Sequence, residues 1–157
     1  MLIDRHRAVM SELAAEVVAV ADAQGIALEA FDAFQPDAFR RDVDPATTER
    51  SLDGLVAWLA TQSKTRSGIW RDVAVRGRPT EVPVQYQPVL EAGRAHGVAL
   101  PHVAALAAAI GELERGERRM GEASLVELAG AGTGPLAGDA AADTDADAAA
   151  APAGARS

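Results

Sequence analysis

Apolar side chains recur every three or four residues in several stretches of the chain, which is the spacing of an amphipathic α-helix. The first such stretch spans about five turns, with Asp4 as the expected N-cap and Gly25 as the C-terminal stop. Its apolar stripe consists of Val9, Leu13, Val17 and Val20. We therefore predict a long first helix that packs on the core through this stripe.

A second helix is predicted to begin at Asp44-Pro45, where a capping side chain is followed by a proline at the first helical position. Its apolar face consists of Leu52, Leu55, Val56 and Leu59, with Trp58 beside it. Gly54 lowers the helix propensity of this segment, so we expect another helix to pack closely against it. Between the two helices lie three aromatic residues that we expect to plug the core: Phe31, Phe34 and Phe39.

Two further helices are predicted in the second half of the chain. One begins at Thr80-Glu81 and presents an apolar face of Val82, Tyr86, Val89 and Leu90. Pro88 lies inside this helix and predicts a kink or an early end. The other begins at Pro101 and has apolar positions at Val103, Leu106, Ile110 and Leu113. No segment shows convincing strand alternation, so we predict an all-α fold, a bundle of about five helices including a short one around Ile69-Trp70.

The C-terminal part of the chain has little to fold. From Gly130 onward it consists almost entirely of Ala, Gly, Asp, Pro and Thr, and Leu136 is its only large apolar side chain. Such a composition cannot offset the entropy cost of ordering. We therefore predict a helical domain over residues 1–120 and a disordered, Ala/Gly/Asp-rich tail over residues 121–157.

Composition and charge exclude several classes of function. The chain has no cysteine, which rules out disulfides and a thiolate nucleophile, and its histidines lack a carboxylate cluster of metal-site spacing, so no metal site is predicted. The formal net charge of −8 argues against nucleic-acid binding. No apolar run is long enough for a membrane span and no signal peptide is visible, so we expect a cytoplasmic protein.

The densest group of chemically capable side chains lies between Lys64, the only lysine, and Glu81. Four arginines in this segment are Arg66, Arg71, Arg76 and Arg78. They are either a solvated basic edge or an anion site, in which guanidinium groups and the backbone N–H groups of Ser67-Gly68 at a helix N-terminus bind carboxylate or phosphate. Both interpretations stay open at the level of composition and spacing.

The residues of this segment also resemble a known family. Ile69-Trp-Arg-Asp72, followed by Arg76-Gly-Arg-Pro-Thr-Glu81-Val82, resembles the signature of the C-terminal helical domain of ketopantoate reductases (2-dehydropantoate 2-reductases). Ala95-His-Gly97-Val-Ala-Leu-Pro101 is similar to the later helix–Gly–helix junction of that domain. Together with the first helix and its Gly25-Ile26 stop, the resemblance covers about residues 5–115.

The resemblance implies an NADPH-dependent reduction of a 2-keto acid to a 2-hydroxy acid, a step of pantothenate biosynthesis, in a cleft between a Rossmann domain and this helical domain. It implies that Glu81 is the active-site glutamate and that Asp72 supports the substrate-binding helix. The substrate-binding serine of the family aligns with Gly68, and Ser67 is the nearest replacement. Arg66 is the matching candidate for contact with the substrate anion.

Two features of the family pattern do not occur in this sequence. The family's general acid is a lysine followed four residues later by an asparagine, whereas this chain has no asparagine and its lysine, Lys64, stands elsewhere. No G-x-G-x-x-G motif lies between a strand and a helix, so the NADPH-binding domain is not among these residues. We expect a domain that is inactive alone, and that either works with a separate Rossmann chain or is the remnant of a split or truncated gene. The alternative is a helical module that self-associates into a homo-oligomer. Lys64 as a replacement proton donor would need to lie within hydrogen-bond reach of the substrate carbonyl.

Overall fold

The structure, a computed structural model, describes residues 2–63, 72, 75 and 79–133. Within these residues the chain forms six α-helices and two short 3-10 helices. The α-helices are α1 (Leu2–Arg5), α2 (Arg7–Ala23), α3 (Pro45–Ala60), α4 (Val82–His96), α5 (Pro101–Glu114) and α6 (Ala123–Ala129). The 3-10 helices span Pro36–Phe39 and Ala131–Thr133, and the described residues contain no strand beyond an isolated bridge between Phe31 and Phe34. The predicted all-α fold class is confirmed, while the short helix predicted around Ile69-Trp70 lies outside the described residues.

The N-terminal helix is divided where the sequence predicted a single element. α2 begins at Arg7 with His6 before it, and Asp4 lies in the preceding short helix α1. Asp4 as the N-cap is wrong, because its carboxylate instead accepts hydrogen bonds from the Arg7 guanidinium at 2.6 and 3.1 Å. The predicted stop is confirmed, since Gly25 adopts the left-handed φ of 69°.

α2 is the central helix, and it is buried on two sides. Val18 packs with Ala38, Phe39 and Leu52, while Val20 packs with the α4–α5 pair through Leu100 and Val103. Val9 and Val20 are buried as predicted, but Val17 is exposed and Val18 takes its place in the core. The single-stripe prediction fails at Val17 because α2 contacts neighbours on more than one face.

α3 begins as its sequence predicts. The Asp44 carboxylate accepts the Ala46 N–H at 2.9 Å, which confirms the N-cap. Leu52 is buried, whereas Leu55, Val56 and Leu59 are half-buried. Gly54 faces open space, so the close helix approach expected there is wrong.

The three phenylalanines form a stack that leads from the core to the surface. Phe39 is buried and its ring stacks on Phe34 with centroids 5.3 Å apart. Phe34 in turn contacts Phe31, which is 65% exposed. Phe31 as a core residue is therefore wrong; it lies at the edge of a tight turn in which Asp32 adopts a positive φ of 48°.

α4 and α5 form a helical hairpin that packs on α2. The predicted α4 face is confirmed, because Tyr86, Val89 and Leu90 pack around Leu100 and Val103. The hairpin turns at Gly97, whose φ is 68°. It also needs Gly93, since a Cβ there would lie 2.4 Å from the Leu100 Cδ1 atom.

Pro88 does not end α4, so the early end offered by the sequence is wrong. A proline inside a helix leaves one carbonyl without its N–H donor, here the carbonyl of Val84. Val84 and Pro88 are both exposed, so water reaches that carbonyl. The loss of one intrahelical bond is thereby tolerated.

The described chain continues as a packed structure past residue 120, where the sequence places the end of the helical domain. α6 contacts α2 and α5, and its Leu128 side chain is only 4% exposed. The 3-10 helix that follows also contacts α5. The part of the tail beyond residue 133 lies outside the described residues, and among those described no helix has the length and hydropathy needed to cross a membrane.

Candidate functional site

Glu81 lies directly before α4, on an exposed part of its first turn. Its backbone carbonyl accepts the Gln85 N–H at 3.0 Å, which continues the helical hydrogen-bond pattern. Its carboxylate accepts a hydrogen bond from the side-chain amide of Gln85 at 3.3 Å. The structure thus presents the carboxylate at the N-terminal end of a helix, where it can accept a further donor from a ligand.

Thr80 fixes the backbone on one side of Glu81. A single oxygen of Glu114, Oε1, accepts both the Thr80 N–H at 2.8 Å and the Thr80 hydroxyl at 2.6 Å. The same Thr80 hydroxyl oxygen accepts the Val82 N–H at 3.1 Å and so caps the first turn of α4. These two Thr80 donors, led by the hydroxyl, lower the pKa of the Glu114 carboxyl below its ordinary value.

Val82 fixes the backbone on the other side. Its side chain is 1% exposed, among the most completely buried in the described part of the chain. Glu81 is therefore held between a hydrogen-bonded residue and a buried one, while its own side chain faces solvent. The backbone that carries the Glu81 carboxylate is thus fixed before any ligand binds.

Of the other candidate residues, only Asp72 is among those that the structure describes. Asp72 is described and is buried, which suits a supporting role, although the residues on either side of it are not described. Lys64, Arg66, Ser67 and Gly68 lie outside the described residues. Their approach to Glu81 stays a prediction from the sequence.

A buried acidic residue on α2, Glu16, was not among the candidates predicted from the sequence. Its side chain is 1% exposed and binds the start of α5. Oε1 accepts the His102 N–H at 2.9 Å, and Oε2 accepts the Val103 N–H at 2.8 Å. The His102 ring nitrogen Nδ1 also lies 2.7 Å from Oε1, and because an ionised carboxylate only accepts, Nδ1 is the donor.

The start of α5 contained a signal that could have revealed Glu16. Leu100 precedes the helix and has no polar side chain for the unpaired N–H groups of the first turn. A helix that begins at Pro101 without a cap of its own requires an acceptor from elsewhere. The first helix has two glutamates, Glu12 and Glu16, and no local pattern indicates that Glu16 supplies this acceptor from 86 residues away.

A groove along α2 lies apart from Glu81, and its lining has more acidic than basic side chains. Two adjoining cavities of about 330 and 360 Å³ share the lining residues Ala15, Arg40 and Arg41. Arg40 is paired with Asp22 and Asp37, and Arg41 with Glu12 at 2.7 Å. Because these guanidinium groups are already neutralised, the groove does not form an anion site. Within the described ranges no three His, Cys, Asp or Glu side chains are grouped to bind a metal ion.

The described residues do not form a dinucleotide cradle. That cradle consists of a strand, a glycine-rich turn and a helix N-terminus. The described part of the chain has no strand beyond the Phe31–Phe34 bridge, so it offers no such unit for NADPH.

Comparison with known proteins places the chain in a family. Residues 1–114 match the model of the ketopantoate reductase PanE/ApbA C-terminal domain. No curated protein and no solved structure matches the chain. The matched residues include α1 to α5, the Gly-Arg-Pro-Thr-Glu motif before α4 and the Gly97 turn. Because the match covers 114 of 157 residues, the chain belongs to the ketopantoate reductase C-terminal domain family.

Proposed function

We propose that this chain is the substrate-side helical domain of an NADPH-dependent reductase that acts on a ketopantoate-like 2-keto acid. The observation that carries the proposal is the placement of Glu81. In a chain of this family, the glutamate of the Gly-Arg-Pro-Thr-Glu motif projects into solvent from a backbone held on both sides by Thr80 and Val82. The dinucleotide would be bound by a Rossmann domain outside these 157 residues, in another chain or another part of a longer protein.

In this proposal Glu81 binds a hydroxyl group of the substrate. A carboxylate is an acceptor for such a donor, and a charge-assisted hydrogen bond is about twice as strong as a neutral one. The partner Gln85 holds only one of the two carboxylate oxygens, Oε2, in the contacts described for it. Arg66 and the Ser67-Gly68 pair would bind the carboxylate of the keto acid, and Asp72 would support that segment.

Proton donation to the substrate carbonyl is the step with the weakest support in this chain. The family's lysine–asparagine pair is missing from the sequence, and Lys64 is the only lysine that could replace it. We therefore expect the purified 157-residue protein to show no NADPH oxidation with ketopantoate or related keto acids. Appreciable turnover would contradict the proposal that the domain is inactive alone.

Substrate binding tests the proposal without requiring turnover. Addition of ketopantoate to isotope-labelled protein should shift the NMR signals of Glu81 and Val82, and Glu81→Gln should weaken this response about tenfold because it removes a charged acceptor. Glu91→Gln is a matched control, since Glu91 is also exposed on α4 and also accepts from a glutamine, Gln87, at 2.8 Å. An equal response in the two variants would argue against Glu81 as the substrate ligand.

A second candidate function is self-association, favoured by apolar side chains that face solvent on several elements. The most exposed among the described large apolar residues are Val84 at 78%, Val75 and Val126 at 66% each, and Phe31 at 65%. Val84 lies one turn from Glu81, on the helix that the reductase proposal also uses. A homo-oligomer would cover such residues, whereas a separate Rossmann chain would cover those near Glu81 only.

A further inference from the structure

Glu114 links two elements that are distant in sequence. It is the last residue of α5, and its carboxylate binds Thr80, 34 positions earlier. Both donors of Thr80, the backbone N–H and the hydroxyl, bind to the same oxygen of Glu114. No motif in the sequence indicated this contact.

The bonds form a short chain that ends at the backbone of the Glu81 turn. A hydroxyl has one proton to donate, and the Thr80 hydroxyl donates it in the 2.6 Å hydrogen bond to Glu114. Its oxygen lone pairs are thereby directed toward the Val82 N–H, which it accepts at 3.1 Å. Glu114 thus sets the orientation of the group that caps α4, and Glu81 lies between the capping residue and the capped one.

Charge supports the same arrangement. The N-terminus of a helix has a partial positive charge, and a carboxylate beside it is favourable. Glu114 is half-buried, and its pKa is lowered by Thr80, so the group stays an ionised acceptor near neutral pH. One carboxylate oxygen thus joins the end of α5 to the start of α4.

We propose that Glu114 is a positioning residue for Glu81: by holding Thr80, it fixes the backbone from which the Glu81 carboxylate projects. The inference rests on the proposed function of Glu81 in substrate binding. It adds a residue with no direct substrate contact, one that acts through the Thr80 hydroxyl and the cap of α4.

The test compares three variants by NMR without substrate. Glu114→Ala should shift the signal of the Glu81 carboxyl carbon and speed amide exchange at Thr80 and Val82 about tenfold, the effect expected from losing charge-assisted hydrogen bonds. Glu114→Gln should retain the wild-type Glu81 signal, because its amide oxygen still accepts both Thr80 donors. Glu117→Ala is the control, since Glu117 lies just past the same helix in an exposed pair with Arg115 at 2.8 Å.

A second route covers the case in which Glu114→Ala does not fold. Thr80→Val keeps the side-chain shape and removes the hydroxyl that joins Glu114 to Val82, so it should shift the Glu81 signal in the same direction. The proposal is overturned if the Glu81 signal in Glu114→Ala or in Thr80→Val coincides with that of wild type and Glu117→Ala.

A ketopantoate titration of the same samples separates this inference from the proposed function. Wild type and Glu114→Gln should respond at Glu81, and Thr80→Val should need about tenfold more ketopantoate for the same response. If wild-type Glu81 does not respond, the proposed function is contradicted, and the substrate-free signals still decide whether Glu114 positions Glu81.

Discussion

Glu16 shows how a single buried carboxylate connects two helices. Burial of a charge is costly unless hydrogen bonds satisfy it, and Glu16 accepts three: two from backbone N–H groups of α5 and one from the His102 ring. These donors come from the first turn of α5, which has no cap of its own. Glu16 therefore stabilises the contact between α2 and α5, and it also caps the N-terminus of α5.

We expect replacement of Glu16 to destabilise the protein strongly. Glu16→Ala leaves the α5 donors unpaired in the core and should lower the free energy of unfolding by about 3–5 kcal/mol. Glu16→Gln should cost about 1–3 kcal/mol, because in either orientation its amide group faces a backbone N–H, donor against donor. Urea unfolding measures both changes.

Glu12→Gln on the same helix is the matched control. Glu12 is partly exposed and paired with Arg41 at 2.7 Å, so its loss should change the free energy of unfolding by less than about 1 kcal/mol. If Glu16→Gln were no less stable than Glu12→Gln, the role assigned to the buried carboxylate would be wrong.

At the scale of elements, α6 belongs to the packed structure although it lies past the residues that match the family. Its Leu128 is buried, and Gly132 in the following 3-10 helix lies against His102, where a Cβ would approach the ring Cε1 to 2.7 Å. Charged groups add to the contact: Glu122 pairs with Arg5, and Arg118 pairs with Glu127 at 2.6 Å. The segment thus covers the buried Glu16–His102 pair.

Leu128→Ala tests whether α6 contributes to the stability of the fold. Loss of a buried leucine side chain should lower the free energy of unfolding by about 2–5 kcal/mol. Val126→Ala, on the exposed side of the same helix, should change it by less than about 0.5 kcal/mol. Thermal or urea unfolding of the two variants decides the point, and equal stability would mean that α6 does not pack on α2 and α5 in solution.

At the scale of the whole molecule, the question is which partner covers the exposed apolar residues. Under self-association, the sedimentation coefficient should rise with protein concentration, and Val84→Ser should reduce the rise because it removes the most exposed large apolar side chain among those described. Ala95→Ser, an exposed position on the same helix, controls for the substitution itself. A single monomeric species at every concentration would exclude self-association as the function.

Much of the helical layout could be predicted from local patterns. Asp44 and Gly97 act through their own side chain or backbone, so the start of α3 and the end of α4 follow from neighbouring residues. The family signature before α4 could also be recognised, because a motif consists of residues that are adjacent in the sequence. The exposure of Phe31 and Val17 could not be predicted from local patterns, since it depends on which elements lie opposite them.

The candidate site was likewise predictable from the sequence only in part. Glu81 was predicted from its motif. The contacts that hold its backbone could be seen only in the folded chain: Thr80 is hydrogen-bonded to Glu114, and Val82 is buried in the core. Lys64, Arg66, Ser67 and Gly68 lie outside the described residues, so their part in the site stays a prediction.

By itself the sequence determined the all-α class, most of the helix ends and the family, because helical periodicity, caps and motifs act over a few residues. Only the tertiary structure decided that α2 is buried on two sides, that Glu16 caps α5 and that Glu114 holds the start of α4. Each of these depends on groups between 34 and 87 residues apart, or on the number of neighbours around one helix. A local pattern contains no information on such distances, and folding alone brings those groups together.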